Sequence, residues 1–396
     1  MGGAGGGRLV YAATVPVISA DVPWDVPFDT RLAMLTRGTP RAAYFYSTPD
    51  TSTFRYRAYN MAQALSVGPG ASASWFSKAD MDGMGRVLAA CDVLILCRNT
   101  LYDNAVARLA AQARARGVRL LFDVDDLVFD PSYTHLLMDT LGVDMTNSVV
   151  WDYWYAYVGR VGATFALCDG ALVTNPTLGA HAARWSGKPA RTVPNFLNRQ
   201  QQHVSAQVWQ AKDDTGWARD GRLHIAYFSG SPSHNRDFAL AAPAIAALMD
   251  EDPTIWLRVV GFLDAEPSLA RHSDRIESLP LQDFQNLQRE MGAVEVNIVP
   301  LQENPFTHCK SELKWFEAAI VGSLTLASPS HAYTGAIVHG ENGWLVPSHG
   351  WKAALRQAVA TVQAGAAAVL PRARTDALTR FGFDQQRATI EQAVFG

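Results

Sequence analysis

The chain has 396 residues, 48% of them apolar and 18% charged, which exceeds one ordinary core and suits a soluble globular protein of two or three domains. A formal net charge of −3 leaves no footprint for nucleic acid. The four cysteines, Cys91, Cys97, Cys168 and Cys309, have neither zinc spacing nor disulfide-scaffold density, so they read as reduced thiols of a cytoplasmic protein.

The opening Met1-Gly2-Gly3-Ala4-Gly5-Gly6-Gly7-Arg8 lacks the regions of a signal peptide, and no apolar run of about 18 residues follows. Its glycines precede the first apolar run instead of following a strand, so they do not form a dinucleotide loop. Residues 8–40 read as irregular. The first strand is predicted over Arg41 to Ser47. It leads through a Ser/Thr-rich cap into a helix ending near Leu65. Arg55 and Arg57 in its first turn oppose the helix dipole, which points to an anion or a carboxylate partner, or else to a plain surface ion pair.

Strand and helix then alternate as in a parallel sheet: strand Asp92 to Cys97, helix Asn104 to Arg116, strand Arg119 to Val124. Asp123, Asp125 and Asp126 follow at the strand end. Such a cluster can line a cleft, cap a loop, bind a divalent cation or supply an acid and a base, with His135 as a further base on the same side. Val149 to Leu167 is an aromatic helix whose stripe reads as core before it reads as a surface for lipid-linked acceptors. A strand ending at Asn175, a helix Thr177 to Trp185 and a strand ending in Val193-Pro194-Asn195 complete the first domain, taken as 1–198. The polar stretch 199–222 reads as a linker.

The second domain is taken as 223–375. Strand His224 to Phe228 opens it, followed by a loop with Gly230, Ser231, His234 and Arg236 and a helix Phe238 to Met249, at whose start N–H groups suit a diphosphate. Strands Ile255 to Gly261 and Val294 to Val299 come next. After them lies the stretch on which the chain centres, Asn304 to Gly322, a loop and helix before a strand at Ser323 to Ala327. On one continuous helix, Lys310, Lys314 and Glu317 share a stripe, two ammonium groups for an anion and a carboxylate for sugar hydroxyls. A helix Trp351 to Ala366 and a tail, 376–396, ending in a terminal helix close the chain.

Several of these residues together resemble the retaining family 4 glycosyltransferases. Glu317-Ala318-Ala319-Ile320-Val321-Gly322 matches the family's second glutamate and the residues after it, and Gly340-Glu341-Asn342-Gly343-Trp344-Leu345-Val346 its "G-x-N-G-x-L-V" turn. The strand and glycine loop at 224–238 resemble the opening of its nucleotide-binding domain. The resemblance implies an α/β protein of GT-B fold, two Rossmann-like domains facing across a cleft, with the tail helix packed back on the first domain. It also implies transfer from a nucleotide-diphosphate sugar to a glycan, lipid-linked or other polysaccharide acceptor, with retention, without a metal, in the cytoplasm or at the inner membrane face. Lys310, Glu317 and Glu312 would carry the chemistry. Gly230, Ser231, His234, Arg236, Lys310, Ser311, Lys314 and Glu317 would bind the donor, and Arg55, Arg57, Asp123, Asp125, Asp126 and His135 would face the acceptor. Eight positions before Glu317 the family has its first glutamate, which contacts the donor sugar, where this chain has Cys309. That departure favours a nucleotide-sugar-binding protein without turnover as an alternative. The aspartate cluster also resembles the "D-x-D" of haloacid-dehalogenase phosphatases, with Asp123 as nucleophile and Asp125 as acid, and that of metal-dependent GT-A enzymes.

Overall fold

A computed structural model describes residues 22–50, 52–230, 235–366 and 368–396. Two parallel sheets of six strands each organise it. The first comprises β1 (Arg41–Tyr46), β2 (Ser72–Ser77), β3 (Val93–Cys97), β4 (Arg119–Val124), β5 (Gly170–Val173) and β6 (Ala190–Thr192), in the order β2-β1-β3-β4-β5-β6. The second comprises β7 (Leu223–Ser229), β8 (Ile255–Gly261), β9 (Ile276–Leu279), β10 (Val296–Val299), β11 (Leu324–Ala327) and β12 (Trp344–Leu345), in the order β12-β11-β10-β7-β8-β9. Helices cover both faces, so the central strands are buried on both sides and read in sequence as unbroken apolar runs.

The order of strands reverses between β1 and β3 in the first sheet and between β7 and β10 in the second. In an open α/β sheet, the crevice beyond the strand ends at such a reversal is where ligands lie. One continuous apolar cluster runs from Tyr46 and Phe54 of the first domain through Phe196 and Val208 to Trp315, Phe316 and Phe381. The two domains therefore meet through packed side chains as well as polar contacts.

Several elements differ from the sequence reading. The segment 199–222 is largely a helix, Arg199–Asp214, capped by Asn198 Oδ1 accepting from the Gln201 N–H at 2.8 Å. Its overall polarity hid a buried face of Val204, Val208 and Trp209. Within 8–40, the described residues include a helix, Phe28–Leu35. The helix expected over Phe238 to Met249 is broken into Asn235–Ala239 and Ala242–Glu251, the second carrying Pro243 in its first turn, where a missing N–H costs no hydrogen bond. The aromatic helix, Ser148–Ala166, divides along its length: Val158, Val161 and Phe165 are core, whereas Val149, Tyr153 and Tyr155 are exposed. The tail ends in a helix, Arg387–Phe395, that lies on the first domain, where Arg191 Nη1 donates to the Gly396 carbonyl at 2.7 Å. Among the described residues no helix is long and apolar enough to cross a membrane.

Candidate donor cleft between the two sheets

The central stretch does not form one helix. Asn304 and Thr307 cap each other reciprocally, with Pro305 at the first helical position, and this fixes a single turn, Pro305–His308. The chain turns at Cys309 and Lys310, and a second helix runs over Leu313–Ala319. Lys310 is therefore not on the helical stripe of Lys314 and Glu317. It reaches the same cleft from the turn, its ammonium 4.9 Å from the centroid of the Phe306 ring and 3.7 Å from Asp126 Oδ1 of the first domain. Past the end of the site helix lies Gly322, whose φ of +71° suits the sharp turn into β11 and where a Cβ would come within 2.5 Å of Trp217.

Lys314 holds its ammonium 5.2 Å from the Tyr227 ring centroid, and that ammonium makes no hydrogen bond or ion pair with the described residues. Burial, and then the neighbouring Lys310 charge, lower its pKa to about 8, against the smaller pull of Asp237 and Glu317. Asp237 is buried and accepts from the Gln302 N–H at 2.9 Å. Gly230 is exposed just past β7, at the strand reversal. Ser231 and His234 lie outside the described residues. Arg236 reaches across to Asp139 of the first domain as an ion pair. The hydroxyl of Ser311 is buried without a hydrogen-bond partner among the described residues.

Glu317 is 1% exposed, and its Oε1 accepts from Gln201 Nε2 at 2.7 Å, from Arg55 Nη2 at 3.5 Å and from the Tyr56 hydroxyl. Two donors from the first domain and one from the helix between the domains thus hold the carboxylate expected to meet a ribose. Glu312 stands at the N-cap position of the site helix without a side-chain capping bond; burial pushes its carboxyl up to about 7, and its Oε2 makes no hydrogen bond with the described residues. Cys309 is fully buried, and its thiol is pushed up to about 12, so it carries no anion at neutral pH. The backbone carbonyl of Cys309 accepts from Asn175 Nδ2 of the first domain at 2.7 Å.

On the first-domain side the two arginines have carboxylate partners. Arg57 is fully buried and binds Asp123 through two hydrogen bonds, Nε to Oδ1 at 2.7 Å and Nη2 to Oδ2 at 2.9 Å. Burial raises the Asp123 pKa to about 6, with Arg57 pulling against it. With both oxygens taken and no exposed surface, Asp123 is placed as a structural ion pair and not as a base or nucleophile open to the cleft. Arg98, just past β3, donates from Nη1 to Asp125 Oδ1 at 2.6 Å and to Asp126 Oδ2 at 2.8 Å. His135 is exposed on the helix Thr134–Leu141, apart from this network. Among the described residues no group of three His, Cys, Asp or Glu side chains is arranged to hold a metal ion.

Sequence reasoning missed Arg98, Asn175, Tyr56 and Gln201. Arg98 and Asn175 each stand at the end of a predicted strand, the place where an α/β sheet presents its functional side chains, and that position was the available signal. Nothing local marked Tyr56 or Gln201, because their common partner is more than 100 residues away in each case.

No protein-family model matches the chain, and no curated protein matches it. Solved structures do. HepE of Anabaena, in complex with UDP and glucose, superposes with a TM-score of 0.61 at 12% identity over 89% of this chain and 98% of its own. WaaG, a glycosyltransferase involved in lipopolysaccharide biosynthesis, gives 0.58 at 11% identity over 90% of this chain and 100% of its own. Sucrose-phosphate synthase from Thermosynechococcus elongatus gives 0.56 at 15% identity over 89% and 97%. The likeness is one of fold and extends over nearly the whole chain: this protein has the GT-B architecture of two parallel-sheet α/β domains.

Proposed function

We propose that the protein is a glycosyltransferase that moves a sugar from a nucleotide-diphosphate donor to a glycan or lipid-linked acceptor held on the first-domain side of the cleft. The observation that carries this reading is the pair of ammonium groups at the second sheet's strand reversal. Among the described residues Lys314 has no counter-anion within hydrogen-bond or ion-pair distance, and Lys310 stands close enough to depress its pKa. A diphosphate supplies the missing charge, and in a cleft of low dielectric such preorganised cations stabilise a departing diphosphate more than they would in water. Glu317 would accept from the ribose hydroxyls once its first-domain donors give way. HepE was solved with UDP and glucose, which supports a nucleotide sugar as the donor class.

We further propose retention of configuration without a metal. Asp123 is sealed by Arg57, and Asp125 and Asp126 are bound by Arg98, so no carboxylate of that cluster is free to deprotonate an acceptor. The leaving phosphate would take the proton itself. The protonated Cys309 where the related family has glutamate favours a second reading, a nucleotide-sugar-binding protein without turnover. Assay of UDP-glucose and UDP-N-acetylglucosamine against glycan and lipid-linked acceptors in EDTA separates these readings. The expected result is an α-linked product from an α-linked donor. A β-linked product contradicts retention, activity only on adding manganese contradicts metal independence, and binding without any transfer selects the second reading.

A further inference from the structure

Among the polar contacts of the seam between the domains, one ion pair falls on a lysine read as a diphosphate ligand. Asn175 meets the Cys309 carbonyl at 2.7 Å and Thr177 meets His331 at 3.0 Å, contacts between groups that need carry no charge. The Lys310 ammonium instead faces a first-domain carboxylate, Asp126, at 3.7 Å, each side chain about one-fifth exposed (19% and 21%). Asp126 is fixed from behind. Arg98 Nη1 bridges Asp125 at 2.6 Å and Asp126 at 2.8 Å, and Thr53 Oγ1 donates to Asp125 Oδ2 at 3.0 Å. Two carboxylates share one guanidinium, and Asp126 turns its Oδ1 toward Lys310.

Opening that pair would return the Lys310 ammonium to the cleft beside that of Lys314. An incoming diphosphate must therefore compete with a carboxylate that is already in place and cannot diffuse away. We propose that Asp126 stands in for a phosphate: it pairs with Lys310 while the cleft is empty and is displaced by the diphosphate of the nucleotide, so that the Asp125-Asp126 arm sets donor affinity. This rests on the reading of Lys310 as a diphosphate ligand. It assigns the acidic segment at the end of β4 a role on the donor side, where the sequence had placed it toward the acceptor.

The test is calorimetric titration of UDP into the full chain and into Asp126→Asn, Lys310→Met and the double variant at constant ionic strength, with melting curves to show that each is folded. Asp126→Ser replaces the Asn variant if that one does not fold. Removing the competitor is expected to tighten UDP binding about two- to fivefold, the scale of a partly exposed ion pair. In the Lys310→Met background the same replacement is expected to change nothing, because the cation for which the two anions compete is gone. If Lys310→Met weakens UDP while Asp126→Asn leaves it unchanged or weaker, the stand-in role is wrong and the donor reading survives. If Lys310→Met has no effect, Lys310 is not a diphosphate ligand and the proposal falls with it. Absence of UDP binding in every form, Asp126→Asn included, overturns both.

Discussion

Lys314 is the residue on which the functional reading depends most. Its ammonium is charged below a pKa of about 8 and progressively neutral above it, whereas an ordinary lysine stays charged to above pH 10. The protonated form attracts an anion, so nucleotide affinity should be full about one pH unit or more below that pKa and fall as pH rises through it. The nucleotide does not obscure this, since a terminal phosphate with a second pKa of about 6 is already fully ionised. Calorimetric titrations of UDP between pH 7 and 9.5 should show the decline in the native chain and not in Lys314→Arg, whose cation does not titrate in that range. Lys314→Met should weaken UDP roughly ten- to hundredfold, the scale of lost hydrogen bonds to a charged group. An affinity that stays flat to pH 9.5 in the native chain would remove Lys314 from the site.

Among the elements, the turn Arg55–Tyr59 shows what a sequence can and cannot disclose. It is wound as a π-helical turn, wider than the α-helix expected there, and such turns recur at functional sites. Arg55 and Tyr56 point to Glu317 of the other domain, while Arg57 points to Asp123 at the end of β4. The unfavourable charge of two arginines near a helix start was legible and indicated that they have partners. Which carboxylate each one meets was not, because helix propensity carries no information about an approach made by another domain. Strands β1, β4, β7 and β8 were legible to within a residue or so, since a strand buried on both faces leaves a continuous apolar run. Strands β2, β9 and β12 were not: Ser72–Ser77 is half serine, and β12 has only two residues. The terminal helix, Arg387–Phe395, is tied down by cations at its carboxyl end, where Arg191 and Arg119 donate to the Ala393, Val394 and Gly396 carbonyls. Arg191→Ala should lower stability by about 1 kcal/mol, the usual worth of a cation at that end of a helix. Amide hydrogen exchange over residues 387–395 should rise with it, and unchanged exchange there would mean that apolar packing alone holds the helix.

At the scale of the whole molecule, the two domains form a closed seam. Glu317 is bound by Arg55, Tyr56 and Gln201, Lys310 faces Asp126, and Arg236 meets Asp139. The two-domain α/β layout was legible because strand and helix alternate twice with a polar segment between. The closure was not, because each of its contacts joins residues far apart in the chain. A nucleotide can reach Lys310, Lys314 and Glu317 only if parts of this seam exchange their partners, so binding should alter both sides of the cleft together. Hydrogen exchange followed by mass spectrometry, with and without UDP at a concentration that calorimetry shows to be saturating, tests this most directly. Protection is predicted over residues 310–319, the turn and the site helix after it, with altered exchange in the first-domain segments 53–60 and 123–128. Saturating UDP that leaves both regions unchanged, or that protects a surface elsewhere, would contradict a donor site in this cleft.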